Sequence, residues 1–265
     1  MHLFSAPRRG LAWLADRFVL RPTQHSINAK GKTRHVVDFE GGGLEIWSER
    51  TGEPSRDADL FVLKFPGTGG RAERSTSYPA MYWPQRCCEI WTLNPPGYGG
   101  SEGPASLQRM TAAALRAWEA LEARAQGRPV LVTGNSLGCL SALLIGATQS
   151  AAGIMLRNPP PLRQLIRGCH GWWNLYVGAA LIAWQVPRSL DCLANARRCK
   201  APALVVTSGK DRVVPPRLQQ RVIDAYAGKK RVMCLPDADH ATRMTDEEAA
   251  ECETHLKWLL DKMAS

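Results

Sequence analysis

Short apolar runs alternate along the chain with longer segments in which apolar residues recur every three or four positions. Such short runs are typical of buried strands, and the longer periodic segments are typical of amphipathic helices. The runs 34–40 and 44–49 are joined by glycines and predict an antiparallel hairpin. Six further runs predict parallel strands at 60–65, 88–93, 129–133, 153–156, 203–207 and 231–235. The alternation predicts an α/β fold with a mostly parallel sheet and helices on both faces.

Three helices follow from the spacing of apolar residues. The segment 106–126 has apolar residues at helical spacing and is followed by Gly127, a typical stop. A helix rich in small residues is predicted to run to Ala147. The last helix is predicted to begin near Thr245, because Thr245 and Glu248 have the spacing of a capping box.

Residues 158–200 break this alternation. Between Gly168 and Pro187 there is no Asp, Glu, Lys or Arg, and several Trp occur there. A membrane-spanning helix needs about 20 predominantly apolar residues, and this stretch is interrupted by His, Asn, Gln and Gly. The segment therefore predicts a helical insertion that covers a pocket.

Composition narrows the class of protein. The chain of 265 residues is 45% hydrophobic and 22% charged, which excludes fibrous and disordered proteins. Its formal net charge of +10 favours acidic partners, but no nucleic-acid-binding motif occurs, so we expect no nucleic-acid partner. Its 8 cysteines include no CxxC pair, so we expect neither a metal site nor a disulfide framework.

Residues 1–34 form a basic N-terminal segment with seven Lys or Arg and one acid. Leu11, Trp13, Leu14 and Phe18 predict the apolar face of a short helix. Two hypotheses remain open: contact with an anionic membrane surface, or a helix packed on the domain formed by 35–265. Charged residues interrupt every apolar run here, unlike a secretory signal. We therefore expect a cytoplasmic location, with membrane association under the first hypothesis.

The pentapeptide Gly134-Asn135-Ser136-Leu137-Gly138 carries the strongest chemical signal. It follows a predicted strand and precedes a predicted helix, where a sharp turn can expose a nucleophilic hydroxyl. The flanking glycines allow a tight turn and close packing. Ser136 is therefore the predicted nucleophile, and an ordinary Gly/Ser turn is the alternative.

A serine nucleophile needs a base, and the chain has 6 histidines. His240 follows the last predicted strand, at the carboxyl edge of the sheet where α/β proteins place their sites. The other histidines lie before the central strands, in the insertion or on the last helix. His240 is therefore the predicted base, and a loop or capping histidine is the alternative.

The base needs an orienting acid, and Asp211 directly follows the strand 203–207. It reaches the same edge of the sheet, where a carboxylate would fix the tautomer of His240 and stabilise its imidazolium form. An ion pair with a basic neighbour is the alternative for Asp211. Asp237 and Asp239 are so close in sequence to His240 that we expect them to shape its loop.

An oxyanion needs two donors, and we predict the backbone N–H groups of Leu137 and Thr68. Leu137 follows the nucleophile, and Gly67 permits the backbone geometry that Thr68 needs. A phosphate cradle is the competing interpretation of this Gly-rich loop. No lysine pattern of a phosphate-binding P-loop follows it.

These motifs resemble those of α/β-hydrolase-fold serine hydrolases. The order Ser136, Asp211, His240 is the family order of nucleophile, acid and base, and residues 134–138 resemble its nucleophile elbow. Residues 65–70 resemble its H-G-x-x-G oxyanion loop, with Pro66 where His is common, and 94–101 resemble its loop ending in G-x-G-x-S. The resemblance covers about 35–263 and is to single-domain esterases, thioesterases and lipase-like enzymes.

The resemblance implies that the insertion 158–200 is a short lid. A lid rich in Trp and poor in charge suggests a small-molecule ester or lipid-like substrate with an apolar acyl or aryl group. We expect substrate contacts from Gly67 and from the insertion, at Trp172, Trp173, Tyr176 and Trp184. Packing of these aromatic side chains onto the core is the alternative.

The sequence thus predicts a serine hydrolase that cleaves carboxylic esters or thioesters through an acyl-enzyme. This chemistry requires no metal and no organic cofactor. Two alternatives remain open: a peptidase, amidase or acyltransferase that uses the same triad, and a non-catalytic lipid- or ligand-binding protein on this fold.

Overall fold

A computed structural model describes residues 5–170 and 177–264, and its centre is one eight-stranded sheet. The strand order is β1-β2-β4-β3-β5-β6-β7-β8, with β2 antiparallel to both of its neighbours and β3 to β8 parallel. The strands are β1 Thr33–Phe39, β2 Gly42–Thr51, β3 Leu60–Phe65, β4 Cys88–Leu93, β5 Val130–Asn135, β6 Gly153–Arg157, β7 Ala203–Ser208 and β8 Lys230–Leu235. The predicted antiparallel start and the six parallel strands are confirmed.

Helices cover both faces of this sheet. They are α1 Ser5–Val19, α2 Leu107–Ala125, α3 Gly138–Thr148, α4 Leu162–His170, α5 Val177–Trp184, α6 Cys192–Ala196, α7 Pro216–Ala225 and α8 Asp246–Met263. The predicted capping box is present on α8, where Thr245 Oγ1 accepts a 3.2 Å hydrogen bond from the N–H of Glu248. Helix α7 was not anticipated from the sequence.

The central strands are buried on both faces, so alternate residues enter two separate cores. On β3, Phe61 and Leu63 join the core beneath α2 and α3, whereas Leu60 and Val62 join the core beneath α8. A parallel sheet covered on both sides needs such nearly continuous apolar strands. The carboxyl ends of β5, β7 and β8 therefore lie on one edge of a rigid platform.

Helix α1 packs against α5 and is tied to α2. Asp16 Oδ1 accepts a 2.8 Å hydrogen bond from the N–H of Leu107 at the start of α2. Burial raises the pKa of Asp16, although the hydrogen bonds from Leu107 and Ser106 oppose that shift. A carboxylate at this position satisfies an N–H group that the helix itself leaves open.

The predicted apolar face of α1 is wrong in part. Ala15 is buried, Leu11 and Leu14 are half-buried, and Trp13 and Phe18 are exposed. At about 3.6 residues per turn, Trp13 lies on the opposite side of the helix from Ala15, so the two cannot share a face. No helix within 5–170 or 177–264 combines the length and apolar character needed to cross a bilayer.

Candidate active site

Ser136 occupies a sharp turn between β5 and α3. Its φ angle is +50°, in the left-handed region that a side chain rarely adopts. A Cβ added to Gly138 would lie 2.0 Å from the carbonyl oxygen of Phe65, and one added to Gly134 would lie 2.6 Å from Cys139 Cα. Both positions therefore require glycine. The tight turn holds the Ser136 hydroxyl clear of the strand that precedes it.

The structure brings Ser136, His240 and Asp211 together at the carboxyl edge of the sheet. His240 Nε2 lies 2.9 Å from Ser136 Oγ, and His240 Nδ1 lies 2.7 Å from Asp211 Oδ2. The Asp211 side chain is fully buried, whereas the imidazole keeps a fifth of its surface exposed, at 21%. An imidazole between a hydroxyl and a carboxylate can take the hydroxyl proton and be stabilised as a cation.

Further donors fix the carboxylate of Asp211. Its Oδ1 accepts 2.8 Å hydrogen bonds from the N–H groups of Val213 and Val214. Its Oδ2 accepts from Gln219 Nε2 at 3.1 Å, and Gln219 also donates to the Val214 carbonyl at 2.7 Å. Gln219 lies on α7 and is fully buried. Sequence reasoning missed it, although Pro216 at the first helical position signals this helix.

Asp237 and Asp239, the two other acids close to His240, lie outside the hydrogen-bonded chain formed by Asp211, His240 and Ser136. Asp237 forms an exposed ion pair with Lys210, 2.6 Å away, and hydrogen bonding and charge from Lys210 lower its pKa. Asp239 accepts hydrogen bonds from the N–H groups of His240 at 2.7 Å and Arg212 at 3.2 Å. Asp239 therefore shapes the loop that carries His240.

Asn158 supports the His240 loop from the end of β6. Its Nδ2 donates to the carbonyl of His240 at 3.2 Å, and its own N–H donates to the carbonyl of Val206 at 2.9 Å. Asn158 is fully buried, and its φ angle is +51°. Asparagine tolerates this left-handed conformation better than most residues do. Sequence reasoning did not identify this contact, because it joins residues far apart in the chain.

Leu137 and Thr68 both line the cavity beside Ser136. Within the part of the chain that the structure describes, the N–H groups of these two residues donate to no acceptor. The Thr68 carbonyl accepts a 2.8 Å hydrogen bond from the hydroxyl of Tyr98, which in turn accepts one of 2.9 Å from the N–H of Arg21. Burial raises the pKa of Tyr98 to about 12, so its hydroxyl remains a donor in neutral solution.

A buried polar cluster lies behind the loop 66–70. Asn94 Nδ2 donates to Glu45 Oε2 at 2.7 Å and to Glu73 Oε2 at 2.9 Å, and Arg71 forms an ion pair with Glu73. Burial alone would raise the pKa values of both carboxyls. Hydrogen bonds from Arg34 to Glu45 and from Arg71 to Glu73, together with those from Asn94, outweigh burial and lower both pKa values. The charged groups buried in this cluster therefore have hydrogen-bonding or oppositely charged partners.

A cavity of about 570 Å³ adjoins Ser136 and His240. Its remaining wall is mostly apolar and comes from three regions: α1, the insertion and the loop after β7. These apolar side chains are Phe18, Val19, Pro160, Leu162, Leu165, Ile166, Ala179, Ile182, Val213 and Val214. The contribution of α1 was not anticipated from the sequence. Such a cavity suits an apolar group held against a nucleophile.

The predicted pocket residues have different outcomes. Gly67 lines the cavity. Trp184 is exposed and is not among the described residues of the cavity wall. Trp172, Trp173 and Tyr176 lie outside the described residues. No group of three or more His, Cys, Asp or Glu within 5–170 and 177–264 is arranged to hold a metal ion.

Comparison with known proteins gives a few partial relatives. No protein-family model matches the chain. Two proteins of Mycobacterium tuberculosis strains, both called uncharacterized (MT2364 and Rv2307c), are 30% identical over 146 residues. These residues cover 54% of this chain and 50% of each relative, so the chain spans about half the length of the curated relatives it matches.

Solved structures match most of the chain. An esterase of Pyrococcus furiosus, Pf2001, has a TM-score of 0.64 at 13% identity over 93% of this chain and 98% of its own. An acylaminoacyl peptidase of Pyrococcus horikoshii has a TM-score of 0.64 at 13% identity over 87% of this chain and 41% of its own. A bacterial membrane phospholipase A has a TM-score of 0.60 at 18% identity over 99% and 94%. The chain has the α/β-hydrolase fold that the sequence predicts.

Proposed function

We propose that this protein is a serine hydrolase that cleaves carboxylic esters or thioesters with an apolar acyl group. The observation that carries the proposal is the hydrogen-bonded chain from Asp211 through His240 to Ser136 beside an apolar cavity. The strained turn at Ser136 and the available N–H groups of Leu137 and Thr68 give it further support. Under this proposal, α4 and α5 form a lid over the acyl group.

The reaction begins when the Ser136 proton moves to His240 Nε2 and Oγ bonds to the acyl carbon. The carbonyl π electrons move to its oxygen, which the N–H groups of Leu137 and Thr68 stabilise. The bond to the leaving oxygen or sulfur then breaks, and that atom takes the proton from His240. A water molecule loses a proton to His240 and attacks the acyl-enzyme. Ser136 recovers the proton as the free acid leaves.

A panel of p-nitrophenyl esters of increasing acyl length tests this function. We expect wild-type turnover that rises with acyl length until the cavity is filled, and background rates for Ser136→Ala. Ser141→Ala is the matched control, because it removes another buried hydroxyl, from α3. A folded wild-type protein that turns over neither the esters of the panel nor acyl thioesters of the same chain lengths would contradict the proposal.

The same triad can act on amides or pass an acyl group to another acceptor. Aminoacyl arylamides test the first alternative, and added alcohols or amines that divert the acyl-enzyme test the second. Faster cleavage of arylamides than of matched esters would make the protein a peptidase or amidase. Transfer that outruns hydrolysis would make it an acyltransferase.

A further inference from the structure

Helix α5 presents an apolar stripe to its surroundings. Val177, Leu181 and Trp184 recur at positions i, i+4 and i+7 and keep 63%, 44% and 55% of their surface exposed. The opposite side of the helix is packed, because Ala179 and Ala183 are fully buried. An ordinary surface helix shows the reverse arrangement, with its polar residues outward.

Helix α1 carries a further exposed apolar side chain. It packs against α5, and its Trp13 keeps 62% of its surface exposed. The two helices also form part of the cavity wall, α1 through Phe18 and Val19 and α5 through Ala179 and Ile182. On α5, the exposed stripe therefore lies on the side of the helix that is turned away from the cavity adjoining Ser136. We call Trp13, Val177, Leu181 and Trp184 the α1–α5 surface.

Positive charge accompanies the α1–α5 surface. Residues 1–34 contain seven Lys or Arg and the single acid Asp16, and residues 158–190 contain three Arg. Of these basic residues, Lys32 and Arg34 pair with Glu49 and Glu45, and Arg163 pairs with Asp191. The carboxylate of Asp16 is hydrogen-bonded to the start of α2. Arg17 on α1 and Arg167 and Arg188 of the insertion are exposed. Exposed aromatic and aliphatic side chains beside basic residues are the combination that binds anionic bilayers.

We propose that the α1–α5 surface docks onto an anionic lipid bilayer, with α5 between the bilayer and the cavity. Apolar side chains enter the interface while the arginines meet the headgroups. The inference that the cavity takes its acyl substrate from the bilayer rests on the proposed function, but docking itself does not.

Co-sedimentation of the full chain with vesicles tests the docking. The vesicles are phosphatidylcholine alone or phosphatidylcholine mixed with phosphatidylglycerol. We expect binding to the mixed vesicles that weakens as salt is raised. The double variant V177S/L181S should bind about tenfold more weakly, because it removes two side chains from the apolar contact. M81S/V232S is the matched control, since both residues are exposed and lie on neither α1 nor α5.

Several outcomes would overturn docking. These are no binding to mixed vesicles, equal binding by wild type and V177S/L181S, or equal loss in the control variant. Sedimentation velocity without lipid checks self-association: a wild-type dimer that V177S/L181S abolishes would assign the surface to a second copy of the chain.

Labelling of Ser136 by a fluorophosphonate without vesicles separates the two proposals. We expect the same labelling rate in wild type and V177S/L181S, which also shows that the variant is folded. Vesicle binding without labelling would support docking and contradict the proposed hydrolase function. Labelling without vesicle binding would support the hydrolase function and contradict docking.

Discussion

The hydroxyl of Tyr98 donates a 2.8 Å hydrogen bond to the carbonyl of Thr68. This contact orients the peptide that follows the predicted oxyanion donor, on a loop that closes with a 2.9 Å hydrogen bond from Gly70 to Gly67. The same hydroxyl accepts the N–H of Arg21, just beyond α1. Tyr98 therefore joins the N-terminal segment to the loop beside Ser136, and under the proposed function we expect it to be a positioning residue.

Replacing Tyr98 by Phe should lower kcat about tenfold with little change in KM. The donor on Thr68 would be displaced rather than deleted, and a deleted oxyanion donor costs roughly 100- to 1000-fold. Steady-state kinetics on a soluble ester measures the effect. Tyr226→Phe is the control, because the buried Tyr226 hydroxyl donates to the Ala201 carbonyl instead. Unchanged kcat in Tyr98→Phe would contradict the positioning role.

Gln219→Met should reduce kcat about tenfold while KM stays close to that of the wild type. The change keeps the side-chain volume but removes a donor that holds Asp211, so His240 is oriented less well. The rate of fluorophosphonate labelling of Ser136 should fall in parallel. Gln220→Met is the neighbouring control, because the Gln220 amide is exposed and bonds to Asp224. If both variants kept wild-type labelling rates, Gln219 would have no positioning role.

Two substitutions of Asn158 separate its side-chain contact from its backbone strain. Asn158→Ala and Asn158→Gly both lose the hydrogen bond to the His240 carbonyl, so both should lower kcat by a similar factor. Only Ala is strained at a positive φ, so it should be less stable than the Gly variant by about 1 kcal/mol. Urea unfolding measures this difference. Equal stability of the two variants would argue against the left-handed conformation.

Alkaline pH should destabilise the protein through its buried thiols. Burial raises the pKa of Cys199 from 9.0 to about 12. Folding favours the protonated thiol, so its contribution is complete below pH 9 and is lost as pH rises from about 9 to 12. At pH 10.5, this one group should lower the free energy of unfolding by about 2 kcal/mol.

Urea unfolding under reducing conditions at pH 8 and pH 10.5 measures this loss. The loss should be smaller in Cys199→Ala than in the wild type. It should be unchanged in Cys234→Ala, because the Cys234 side chain is exposed. An equal loss in wild type and Cys199→Ala would exclude Cys199 as a source.

The strands could be predicted because their signal is local. Leu60–Phe65 and Cys88–Leu93 are apolar runs whose ends are marked by Pro, Asn or Gly, and the structure has strands at the same residues. Helix α7 escaped prediction although its buried residues, among them Val222 and Ile223, suit a helix. The position of α1 could not be predicted, because its packing on α5 joins segments more than 150 residues apart.

The positions of Ser136, Asp211 and His240 could be predicted for a topological reason. Each follows a parallel strand, and parallel strands place their carboxyl ends on one edge of a sheet. The supporting side chains of Gln219 and Asn158 could not be identified in this way. Their contacts depend on how α7 and the end of β6 pack against the loops after β7 and β8.

Intact-mass analysis after treatment with a fluorophosphonate tests the central claim most directly. We predict one covalent adduct on the wild-type protein, none on Ser136→Ala and very slow labelling of His240→Ala. Circular dichroism of each variant checks that it is folded. A folded wild-type protein that gains no adduct, or an adduct that persists in Ser136→Ala, would contradict the assignment of Ser136 as an activated nucleophile.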